Sequence, residues 1–367
     1  MSFSGARSFL LSHPNEELDF ENILSFAFAP GDDWERCISE HGKISLCPSA
    51  VYRIEQPVRV SSPVYIIGNG AKIVLAEGLS YGFFLHPYEP LKINGMSRAV
   101  ISEVVFEKEG ECKAIPIVSK SPVLVTGCTF LGIYNWCVLS WVGVEVRGCH
   151  FTGCTGGVKG SYSPERTIVK DCVFEKAMCA VYNWHKITVK RCLFADNVCS
   201  LLLKGTGAVS YCTFNQTGHF PYCVNGLEVD ACVCSNGHVW PLGNIHITSR
   251  DGVPWPALEH CVFSRVRIYA GNRSSVLTCR RCTFSASTVC ISQASVRRLC
   301  LYSANDSSLT VKAIQRFEHD ASETRMCVSC EQLHPCSRLV TTQTTAVSRA
   351  NRMTRSFDTL EFSSDDE

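Results

Sequence analysis

The sequence predicts an all-β protein: a right-handed parallel β-helix, a solenoid of about 11–12 coils of 20–24 residues, with a short helical cap before it and an acidic tail after it. Three observations predict this fold. The tripeptide Cys-x-Phe recurs at Cys128/Phe130, Cys149/Phe151, Cys172/Phe174, Cys192/Phe194, Cys212/Phe214, Cys261/Phe263 and Cys282/Phe284, in steps of 21, 23, 20, 20, 49 and 21 residues. The residues before each copy alternate apolar and polar, as in Thr167-Ile-Val-Lys-Asp-Cys172 and Ile187-Thr-Val-Lys-Arg-Cys192. That is the period of a short strand, closed by a polar or Gly residue that bends the chain into the next one. No stretch inside the repeat carries helical spacing. A unit of this length cannot bury its own apolar face, whereas stacked units ~4.8 Å apart bury a continuous column.

The elements follow in chain order. Residues 1–29 read as an arm, with Leu18, Phe20, Ile23 and Leu24 available for docking. Pro30–Gly42 reads as the capping helix: Asp32 or Asp33 is the N-cap, Trp34, Cys37 and Ile38 are apolar at helical spacing, and Gly42 ends it. The first strands are expected within Ile44–Ile54 and Val64–Ile73. Val104-Val-Phe106 is a degenerate copy of the repeat, and Cys232-Val-Cys234 divides the long step into 20 and 29. A second ladder is expected at Cys137, Cys179, Cys199 and Cys290, seven to nine residues after the first. Leucine-rich repeats have a similar period, but their Leu-x-x-Leu-x-Leu pattern is missing. The right-handed sense follows from the general preference of parallel connections. The β-helix with its cap is assigned to 30–312, a Cys-containing segment to 313–336, and a Ser/Thr-rich acidic tail, read as disordered, to 337–367.

Composition narrows the chemistry. Lys+Arg is 35 and Asp+Glu is 34, a net charge of +1, which excludes a protein-wide grip on nucleic acid or an anionic membrane. No stretch approaches the ~18 apolar residues of a membrane span. The start lacks a secretory signal pattern, so the 23 cysteines are expected as reduced thiols. Cysteines at core phase act as small buried hydrophobes, and His150 and His185 complete no triad-like arrangement with them. Glycan cleavage, the chemistry of many β-helices, needs carboxylates aligned on adjacent coils. Asp171 aligns instead with Arg191 and Gly148, and the pair Asp32-Asp33 is explained by the helix cap. The chain therefore reads as a non-enzyme without a cofactor. Zinc is the one metal candidate, through Cys327, Cys330, His334 and Cys336 with His319 as a spare, although the usual second pair of ligands is missing. Arg280-Arg281, Arg297-Arg298 and Lys186/Lys190/Arg191 read as solvated faces rather than a sequence-specific nucleic-acid site. Ser363 and Ser364 each have an acid three positions on, Asp366 and Glu367, the pattern of an acidophilic Ser/Thr kinase. Phosphates there would deepen a negative cluster and make a dock for basic partners.

Longer runs carry a resemblance. Pro30-Gly-Asp-Asp-Trp34, Tyr52-Arg-Ile54, Tyr65-Ile-Ile-Gly-Asn-Gly-Ala71, Ser140-Trp141, Val146-Arg-Gly-Cys-His-Phe151, Val169-Lys-Asp-Cys-Val-Phe-Glu-Lys176 and Leu202-Leu-Lys-Gly-Thr-Gly-Ala-Val209 resemble the adenovirus early region 1B large T-antigen family, as do the 327–336 cysteines and the Ser-Ser-Asp-Asp-Glu end. The resemblance implies an early, host-directed regulatory protein. Such a protein binds and represses the host tumour-suppressor transcription factor. With an early-region-four viral partner and host cullin and elongin subunits, it acts as substrate adaptor of a ubiquitin ligase, and it favours export of late viral mRNA. It also implies phosphorylation of Ser363 and Ser364 and residence in host nucleus and cytoplasm. Mammalian members often carry a long N-terminal region with export and SUMO-attachment signals, whereas only about 29 residues precede Pro30 here. A shorter relative, the left-hand-end capsid protein of atadenoviruses, is a trimeric β-helix of the virion and supplies the alternative. Both readings imply a homo-oligomer, and a trimer is one form of it.

Overall fold

The computed structural model describes residues 25–86, 98–160 and 165–215, then the strands and some turns up to 314, and 339–341; past 215, side chains are described only at 230–232, 258–263 and 282–283. Each coil gives one strand to each of three parallel sheets, of 13, 13 and 12 strands. The coil at 123–140 is representative. Val123–Thr126 lies in the first sheet, Thr129–Leu131 in the second and Trp136–Ser140 in the third. The stack starts before residue 50, because Phe26–Phe28 pairs with Ile44–Leu46 in the first sheet. Phe26–Phe28 falls in the stretch read as an arm, yet Phe28 is fully buried and its carbonyl accepts the Tyr52 hydroxyl at 2.6 Å. Residues 1–24, with Leu18, Phe20, Ile23 and Leu24, lie outside the described residues, as does nearly all of 315–367.

The repeat sets the interior. Phe106, Phe130, Phe151, Phe174, Phe194 and Phe214 are direct partners along the second sheet and are fully buried. Their rings stack 4.6–5.1 Å apart and within 6° of parallel. The backbone register continues through Cys234, Phe263 and Phe284. At the other end Phe83 meets Phe106 edge-on at 6.3 Å, and Trp34 meets Phe83 edge-on at 5.3 Å. Trp34 begins the cap helix, Trp34–His41. The Asp33 carboxylate accepts the Arg36 N–H at 2.9 Å, Gly42 closes the helix at φ 64°, and Cys37 and Ile38 are its buried face. The helix thus covers the end of the ring column that stacking leaves open.

Each ladder cysteine sits in the corner between two strands, and the residue after it opens the second strand. The residue before it is left-handed at Gly127, Gly148, Asp171, Arg191, Tyr211, Ala231 and His260, at φ 49–62°. The thiol caps the bend by donating to the carbonyl two residues back, at 3.0 Å for Cys172 to Lys170 and 3.2 Å for Cys261 to Glu259. The second ladder needs a correction. Trp136, not Cys137, stands above Gly156, Cys179 and Cys199. Cys137 is one residue out of register, so its buried thiol meets Cys154 instead. Cys290 joins the Cys199 column only through His219, His246 and Tyr269.

Phe151→Ala removes one ring from the middle of the column and should cost about 3–5 kcal/mol. Thr129→Ala, on the outer side of the neighbouring strand, should stay within about 0.5 kcal/mol. Denaturant unfolding of the two variants measures the difference, and equal losses would refute the ring column as the main prop.

Candidate functional site

Several residues singled out by sequence lie outside the described residues: Cys327, Cys330, His334 and Cys336, His319, Ser363 and Ser364, and the Phe284 side chain. Among the described residues no cluster of three or more His, Cys, Asp or Glu is placed to hold a metal. Nor, among them, is any helix long and apolar enough to cross a membrane.

The ladder thiols are placed as packing groups. Burial first, and then the thiol of the preceding coil, holds Cys149, Cys172 and Cys192 well above the ordinary thiol range. The Cys212 thiol pushes Cys232 up to about 12. Burial raises Cys137, while its hydrogen bond lowers Cys154. A thiol held protonated in an apolar column is a poor nucleophile. His150 sits on the outer side of the second sheet, near Thr152 at 3.0 Å and Glu175 at 3.4 Å.

The aligned carboxylates are engaged by cations. Arg191 grips Asp171 with two bonds, of 2.6 and 2.7 Å. Glu145 is sunk in the outer face of the first sheet, its side chain only 9% exposed, bonded to Arg98 at 3.0 Å and Arg147 at 2.6 Å. Arg147, Lys170 and Lys190 are register partners on successive coils, so they form a basic stripe above that buried acid. Sequence reading found Lys190 and Arg191 but missed Lys170 and Arg147, which lie one and two coils earlier in the chain.

The third sheet carries the most distinctive surface. None of its thirteen strands contains Asp or Glu. One register column runs Phe84, Val118, Leu139, Lys159, Tyr182, Leu202. Beside it the Trp136 indole lies flat on Gly156, where a Cβ would come within 2.4 Å of the ring. Only glycine leaves that room, and Trp136 thereby spans two coils to reach Tyr182, 6.0 Å away at 26°. Three lysines cover these rings. Lys120 lies over Phe84 and Trp141 at 5.7 and 5.3 Å, and Lys159 over Trp136 and Tyr182 at 6.0 and 5.5 Å. Lys204 lies over Trp184 and Tyr182 at 3.9 and 5.7 Å. Ammonium groups over aromatic faces are mutually attracted. The outcome is a wall of rings and positive charge that suits a chain segment carrying acids beside apolar groups. Sequence reading missed it, because its members share no repeated residue type.

The family model for the adenovirus EB1 55K protein / large t-antigen matches residues 7–367. The E1B 55 kDa protein of canine adenovirus serotype 2 is 33% identical over 362 residues, covering 96% of this chain and 79% of that one. That of tree shrew adenovirus serotype 1 is 28% identical over 361 residues, covering 96% and 89%. Among solved structures, bacteriophage CBA120 tailspike protein 3 is similar at a TM-score of 0.34 and 11% identity, over 85% of this chain and 56% of that one.

The raised thiols make stability depend on pH. Their folded pKa exceeds the unfolded value of about 8.5, so their contribution is whole below that pH and is lost as pH rises through the folded values. Denaturation midpoints should therefore fall above about pH 9. Cys172→Ala with Cys192→Ala, though less stable at pH 7, should show a shallower fall. Equal slopes for both proteins would refute the contribution of these thiols.

Proposed function

Because the chain belongs to the adenovirus E1B 55K / large T-antigen family, we propose that it is a host-directed adaptor working through its outer faces. It binds and represses the host tumour-suppressor transcription factor. With the early-region-four viral partner it joins that factor, and other host proteins, to a cullin–elongin ubiquitin ligase in host nucleus and cytoplasm, and it favours late mRNA export. The observation that carries this reading is the wall of rings and lysines along the third sheet, whose strands contain no Asp or Glu, a surface built for adhesion. A rigid solenoid suits an adaptor, because it holds two partners at a fixed spacing.

Precipitation from host nuclear extract, with the viral partner co-expressed, tests it. The tumour suppressor and ligase subunits should be recovered with the natural chain. Recovery should drop about tenfold with Trp136→Ala and Lys159→Glu combined, the range expected of a central aromatic anchor. If the natural chain recovers neither, the reading is wrong.

One observation favours the virion alternative. Five consecutive strands of the second sheet, from Leu193–Ala195 to Thr283–Ser285, contain no charged residue. An uncharged stretch of parallel sheet suits lateral packing of copies into a trimer of a decoration protein. Light scattering should then report a trimer, and mass spectrometry should find the chain in purified virions. Absence from the particle ends the capsid reading.

A further inference from the structure

We propose that residues 356–367 of this chain dock on its own third-sheet face, over Trp136, Lys159, Tyr182 and Lys204. This inference rests on reading that face as an adhesive surface and names its resident occupant, which partners must displace.

Three observations carry it. The first is complementarity. The segment Ser356-Phe-Asp-Thr-Leu-Glu-Phe-Ser-Ser-Asp-Asp-Glu367 holds Asp358, Glu361, Asp365, Asp366 and Glu367 with Phe357, Leu360 and Phe362, and no Lys or Arg. The face offers rings and ammonium groups, and its strands contain no carboxylate to repel the segment. The second is origin. Leu339–Thr341 is the last strand of that same sheet, so the chain departs from the edge of the face it would cover. The third is reach. Trp136 lies nine strands from Leu339–Thr341, about 43 Å at the usual strand spacing. Residues 342–356 extended span about 50 Å, enough to set Phe357 beside Trp136 or nearer. The Arg147/Lys170/Lys190 stripe is the rival seat for acids. It has Glu145 buried within it and one ring, Tyr211, at its end, so it offers Phe357, Leu360 and Phe362 little.

The test uses the full chain with p-benzoylphenylalanine in place of Phe362. Irradiation followed by mass spectrometry should give adducts within one chain, on peptides containing Trp136, Tyr182 or Trp184. Their yield should fall about fivefold or more at high salt and with Lys159→Glu plus Lys204→Glu. Should that pair disturb folding, Asp358→Lys with Glu361→Lys and Asp365→Lys, in the docking segment itself, must produce the same fall. Adducts on the Arg147 stripe, adducts between two copies, or no adduct would overturn the proposal. Failure to recover host proteins while these adducts persist would remove the adaptor reading and leave the self-docking intact.

Discussion

The main-chain ladder between coils governs this molecule. Parallel pairing holds neighbouring coils at ~4.8 Å, and every side chain inherits that spacing. The phenyl column shows which interaction yields. Isolated aromatic pairs prefer offset or edge-on contact. Here five successive pairs lie parallel at 4.6–5.1 Å, because the register leaves them no other separation. Where the column runs out, at Phe83 and Trp34, the rings return at once to edge-on geometry.

The corners obey the same constraint. A left-handed residue turns the chain, and the next position faces inward with a carbonyl close behind it. Cysteine fits because its side chain is small and apolar yet carries a weak donor for that carbonyl. The equivalent position of the second corner shows what else fits. Ile133, Cys154 and Ala177 occupy it on successive coils, and then Asn197 does, fully buried. Asn197 takes the Ala177 N–H at 2.8 Å and donates to the Phe174 carbonyl at 3.0 Å, so the amide stays satisfied within the ladder.

These facts explain what sequence could and could not disclose. The coil was legible because inward positions admit few residue types, so Cys and Phe return at nearly constant steps. The cap was legible because Asp33 and Gly42 act within one turn of the chain they close. The second cysteine ladder was misread because the arc between Cys128 and Cys137 differs by a residue or more from later arcs, and a one-residue slip exchanges Cys137 for Trp136. The outer wall was hidden for the opposite reason to the core. Phe84, Leu139, Lys159, Tyr182 and Leu202 are vertical neighbours, but solvent-facing positions tolerate many types, so no motif recurs to betray the column.

Outward freedom is also what lets a nearly neutral chain have a directional surface. A net charge of +1 describes the field far away, where opposite charges cancel. Within a Debye length of about 8 Å, a partner senses only the face before it. On the first sheet, acids and bases interlock, as Glu145 does with Arg98 and Arg147. On the third sheet and its edge, Lys159 and Lys204 lie over aromatic rings. A lysine settled on a ring keeps its charge while its stem and the ring share apolar contact. Keeping acids out of the strands of one sheet, rather than any surplus of charge, therefore gives an inert interior an adhesive side.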